Sequence, residues 1–209
     1  MKRGFLNSPF FYSPFWSKCR DHLFAYRTFY IILLICGLAG FGFGLGGATV
    51  YTHRVTIIEL SDGYIMGIMN GTLNGGSLFW SRILSLLGLL ALVLFFSLHR
   101  YFIPLHFVIV IYRGFLTGFK IMLLIGMYGI TGVFSSLLFV LPFETVFFIG
   151  LSFIIVCAAD RSLCLGGRAY FKAEPEFRKL LIRILPAIIF ILIFCILEAI
   201  FIPIFVGVL

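Results

Sequence analysis

Five apolar runs, with most of the Lys and Arg collected in short segments beside them, set the pattern of this 209-residue chain. They are Phe29 to Val50, Ile83 to Leu98, Phe102 to Leu124, Thr131 to Ala159 and Leu185 to Val208. A run of about 18 or more apolar residues is long enough to cross the hydrocarbon core of a bilayer as a helix. The pattern predicts an all-α fold: a polytopic integral membrane helical bundle of about five transmembrane spans. The fourth run, 29 residues long, contains Pro142. Proline removes a backbone donor and bends a helix, so this unit is expected to be broken or kinked at Leu141-Pro142-Phe143.

The polar stretches orient the bundle. Lys and Arg hold short loops at the cytoplasmic side, and with five crossings, twelve of the 16 basic residues fall on the N-terminal side. Splitting the fourth unit into two full spans would carry the six basic residues between Arg161 and Arg183 to the opposite face. Five crossings with a cytoplasmic N-terminus are therefore expected. Residues 1–28 form a cytoplasmic aromatic and basic interfacial segment, and residues 29–209 a single transmembrane domain. That domain has an external loop at 51–81 and a cytoplasmic basic loop at 160–183. The apolar stretch before Val50 is too long for a cleaved signal peptide, so it reads as the first span.

Composition sharpens the class. The chain is 62% hydrophobic and 11% charged, against about 25% charged in a soluble domain. A soluble enzyme, a disordered tail and a secreted disulfide scaffold are thereby excluded. The net charge of +8 sits beside apolar runs, so its partner is the lipid bilayer and not nucleic acid. Five cysteines without a CxxC pair read as buried small hydrophobes, with neither disulfides nor zinc implied.

Candidate chemistry rests on few residues. Arg113, Glu144 and Glu198 fall near the middle of their runs, where an ionisable side chain is costly and points to function or to a charge pair. An Arg113 to Glu144 or Arg113 to Glu198 pair is expected as a structural clamp, with an ion or small-solute pathway through the same three residues as the alternative. Arg82 reads as lying at a span edge, and Lys120 as snorkelling from its span end. Gly40 and Gly44, and again Gly42 and Gly46, form GxxxG spacings that let helices approach closely; Gly114 and Gly118 repeat the spacing in the third run. The histidines, read as solvated or interfacial, lie in no HExxH pattern, and no GxSxG occurs. Catalytic residues, metals and cofactors are accordingly not expected.

A set of short motifs resembles a known family. Phe102-Ile103-Pro104, Tyr112-Arg113-Gly114-Phe115-Leu116-Thr117-Gly118, Tyr128-Gly129-Ile130-Thr131-Gly132, Leu141-Pro142 and Leu197-Glu198-Ala199-Ile200-Phe201-Ile202-Pro203 occur in order. Their order and spacing resemble the stage II sporulation protein M family. The resemblance implies a non-enzymatic, multi-pass protein of the bacterial cell membrane acting in forespore engulfment. It also implies a scaffold role, gathering the peptidoglycan-degrading stage II sporulation proteins D and P at the septal membrane. Phe143-Glu144 departs from the polar residues that follow the family's proline, so Glu198 is expected to serve the shared body and Glu144 to be a local adaptation.

Overall fold

The computed structural model describes residues 22–51, 75–164 and 173–206. Every long element there is a helix: α1 (Arg27–Tyr51), α2 (Gly75–Phe96), α3 (Ile103–Tyr128), α4 (Ile130–Ser135), α5 (Leu141–Cys164) and α6 (Ala173–Val206). Five segments are long and apolar enough to cross a membrane. The fourth of these joins α4 and α5 through a π-helical turn at Ser136–Val140. Its position explains the fate of Pro142, the second residue of α5. A proline ring clashes with the carbonyl four residues back, here Leu138 inside the π turn, so the expected break takes the form of a local widening within one continuous unit.

Before it, Gly129 adopts a positive φ of 57° and its N–H closes on the Ile125 carbonyl at 2.8 Å. That conformation favours glycine. The chain reverses there and lays α4 on the end of α3. Gly132 has no room for a side chain, because a Cβ would overlap the Leu124 carbonyl oxygen.

The α1–α3 contact is the most extensive in the bundle, and glycine permits it. A Cβ on Gly40 or Gly44 would overlap the carbonyl oxygens of Ile111 or Phe115; one on Gly114 or Gly118 would overlap those of Gly37 or Phe41. Residue numbers rise together on both helices, so α1 and α3 run parallel. Gly42 and Gly46 do not share this role, since a Cβ on either would meet open space. Two residues along a helix is about 200° of rotation, which puts the second spacing on the face turned away from α3.

The helices α3 and α5 form the centre of the bundle. About half of the α3 span and of the α4–α5 span is buried, against about a quarter of α1, α2 and α6. The main apolar core includes Leu33, Val93, Val110, Ile154, Ile184 and Ile191. Outward faces carry exposed Leu34, Leu38, Leu84, Phe95, Ile182 and Ile193, more apolar surface than water tolerates and appropriate to lipid. Cys157 and Cys195 are buried and Cys36 is half-buried, all with free thiols.

Element boundaries correct several expectations. The 34 residues of α6 rise about 50 Å, well beyond the roughly 30 Å of a bilayer core. Arg178, Lys179 and Arg183 therefore lie on its first turns, and Arg161 on the last turn of α5, not in a loop spanning 160–183. Likewise α2 begins at Gly75, inside the expected external loop, and residues 22–25 are already helical. The remaining parts of the expected terminal segment and of both loops lie outside the described residues.

Candidate functional site

Five charged side chains meet inside the bundle. On α3, Arg113, Thr117 and Lys120 are spaced by four and three residues, which places them on one helix face. Glu144 comes from the first turn of α5, Arg82 from α2 and Glu198 from α6. All five charged residues are buried, each no more than 5% exposed.

Glu144 is the hub. Its Oε1 lies 2.8 Å from an Arg82 guanidinium nitrogen and 3.6 Å from Lys120 Nζ. Its Oε2 accepts from Arg113 at 3.1 Å and from the Thr117 hydroxyl at 3.3 Å. Arg82 then bridges onward, its Nε donating to Glu198 Oε1 at 3.1 Å and a terminal nitrogen pairing with the same oxygen. The Arg113 guanidinium also lies over the Phe147 ring, 4.2 Å from its centroid, a cation–π contact that lowers the cost of burying it.

The three residues singled out by sequence thus come together, through one of the two expected pairings. Arg113 pairs with Glu144, and Glu198 is reached through Arg82. Arg82 is not an edge residue, and Lys120 does not snorkel out of the bundle. Hydropathy begins the second run at Ile83 and hides Arg82, whereas the helix starts two turns earlier. For Lys120 a signal was present: its seven-residue spacing from Arg113 puts both on the same face. The cluster spans a range of depths. Arg82 is seven residues from the start of α2, while Lys120 and Glu198 are each eight from the ends of α3 and α6, and Arg113 is fifteen from the end of α3. At 1.5 Å per residue the cluster extends from about 10 to about 22 Å below that end of the bundle.

Among the described residues, Glu144 faces three cations and Glu198 one. The reason is placement: α5 is central and α6 peripheral.

The opposite end of the bundle carries a polar layer that sequence reading missed. Asp160 on α5 accepts from Tyr26, just before α1, and from Arg183 on α6 at 3.0 Å. Arg161 donates to the Ser97 hydroxyl at 3.3 Å, and the Ser162 hydroxyl donates to the Ser97 carbonyl at 3.0 Å. His22 is buried against Phe153, with Nδ1 3.4 Å from the Tyr30 hydroxyl and Nε2 3.9 Å from Cys157 Sγ. Burial, and then the positive charge of Arg183, lower its pKa below the ordinary 6.5, with Asp160 opposing. His106 is fully buried and meets Phe96 edge-on at 6.0 Å. Of the two expected settings, solvated or interfacial, the solvated one does not hold for His22 and His106, which are buried because the helix ends that carry them fold onto neighbouring helices. Among the described residues, no three His, Cys, Asp or Glu side chains gather as a metal site.

The fold and this buried network define a class: an all-α, multi-pass membrane protein whose helices are cross-linked by charge inside the bilayer. Comparison with protein-family models, curated proteins and solved structures finds no match to the chain.

Proposed function

We infer that this chain is a non-enzymatic membrane scaffold whose buried charges serve as a structural clamp. One observation carries the reading: four helices are tied together by carboxylates whose oxygens face cations within the bundle. Such a network holds its ions by mutual compensation. Breaking a buried pair by removing one partner is strongly destabilising, so the arrangement favours a fixed helical body over a path that must alternately bind and release an ion. A rigid body suits a platform for other membrane proteins.

The motif resemblance supplies the partners and the place. On that basis the protein lies in the septal and engulfing membrane of a spore-forming bacterium and gathers peptidoglycan hydrolases akin to stage II sporulation proteins D and P, while the bias of basic residues to one side makes the N-terminus cytoplasmic. Co-purification of such hydrolases with the tagged full chain from sporulating cells is the expected result. Solute or ion flux through reconstituted vesicles that disappears in Glu144→Gln, with no hydrolase captured, would replace the scaffold with a transporter.

A further inference from the structure

The helices fall into two groups. α1 packs chiefly on α3, while α6 packs on α5 and then on α2, and contacts between the two groups are sparser. Apolar packing joins the groups at one end. There a single buried core takes Leu33 from α1 and Val110 from α3 together with Val93, Ile154 and Ile184 from α2, α5 and α6. The α1 and α3 side chains in or against that core fall within residues 26–36 and 107–110, the halves of those helices nearer His22. Toward the other end a second core forms from Ala48, Phe119, Leu123 and their neighbours on α1 and α3, with Val140 of the π turn. Among the described residues, no side chain of α2, α5 or α6 enters it.

At that end the seam between the groups is held by charge. Arg113, Thr117 and Lys120 face it from α3, and Glu144 meets all three from α5. Arg82 and Glu198 stand on the same side as Glu144, so their pairing stays within one group. Glu144 is therefore the one acid, among the described residues, that ties the groups together there. The Arg113 to Phe147 contact also crosses the seam, but a cation–π contact is weaker than a buried ion pair. Packing along the seam is incomplete, since a gap between α1 and α5 reaches Thr117 and Glu144. The chain passes from α3 to α5 through Gly129, at positive φ, and the π turn, irregular backbone that absorbs a change of angle.

We propose that the bundle is two lobes, α1–α3 and α2–α5–α6, hinged at the His22 end, with Glu144 as the clasp that keeps them shut at the other. Shut, the lobes form the fixed body of the scaffold reading; the hinge itself rests on packing and holds whatever that body serves. Loss of the Glu144 charge removes the ionic link across the seam, and parting admits water to Arg113, which offsets the loss of its carboxylate. The shared apolar core and the Tyr26–Asp160 and His22–Cys157 contacts stay closed.

Pulsed dipolar electron spin resonance on the full chain in lipid nanodiscs, its native cysteines replaced, tests the hinge with one label on each lobe. Labels at Phe43→Cys and Leu84→Cys report the Glu144 end, and labels at Ile31→Cys and Leu92→Cys the His22 end; all four positions are exposed. A rotation of about 15° around a pivot near Leu33, about 15 Å along α1 from Phe43, moves the helices apart by about 4 Å. Glu144→Gln should lengthen the first distance by that amount and leave the second unchanged. Glu198→Gln, which breaks a link within one lobe, should change neither. If Glu144→Gln fails to elute as a folded, helical species, a sodium dodecyl sulfate titration of the labelled chain with Glu144 intact takes its place. The first distance should then lengthen at a lower detergent fraction than the second. No lengthening in Glu144→Gln, equal lengthening at both ends, the same lengthening in Glu198→Gln, or simultaneous lengthening in the titration would each overturn the hinge.

Discussion

Replacing Glu144 with leucine withdraws one carboxylate from three cations at once. Arg82 keeps Glu198, but Arg113 is left with the Phe147 ring in place of an acid. Orphaning a buried charge in this way costs about 3–5 kcal/mol, and the number of cations affected places Glu144→Leu toward the upper end. Glu198→Leu removes a partner only from Arg82, which retains Glu144 at 2.8 Å, so a loss of about 1–3 kcal/mol is expected. The same geometry separates two double-mutant cycles. Arg113→Leu with Glu144→Leu should show a coupling of about 1–3 kcal/mol, because the two side chains touch. Arg113→Leu with Glu198→Leu should be additive within about 0.5 kcal/mol, because their link runs only through Arg82 and Glu144. Reversible unfolding in mixed micelles, followed by helical circular dichroism, measures all of these. Equal coupling in both cycles, or a cost for Glu144→Leu below about 1 kcal/mol, would refute the hub.

Gly44→Ala and Gly118→Ala should each destabilise by about 1–3 kcal/mol through overpacking, whereas Gly42→Ala and Gly46→Ala should be neutral or stabilising by up to about 1 kcal/mol; thermal unfolding separates the two pairs. In a background freed of native cysteines, Lys179→Cys should react with a membrane-impermeant maleimide only from the cytoplasmic side, and labelling of intact cells from outside would reverse the orientation. His22 has a folded pKa below its ordinary value of 6.5, so the unfolded chain binds more protons as pH falls through that value. Stability contributed by neutral His22 is thus present above about pH 6.5 and declines on acidification toward the lowered pKa. A His22→Asn variant should show a shallower loss of thermal stability over that window, and an unchanged slope would remove His22 as the cause.

Hydrophobic periodicity and charge placement alone made the all-α membrane bundle and its five spanning units legible, because the bilayer demands runs of a minimum length and penalises charge within them. That Arg113, Glu144 and Glu198 need partners inside the bundle was legible for the same reason: each interrupts an apolar run. Which of them touch was not. Pairing depends on helix rotation and neighbour order, and only the packed bundle turns Arg82 inward and seats Glu144 between three cations. The glycines divide in the same way. Spacing alone makes Gly40–Gly44 and Gly42–Gly46 equivalent, while the approach of α3 on one face leaves only the first pair against backbone. The polar layer around His22 and Asp160 joins residues more than 130 positions apart, and no local pattern encodes such a contact.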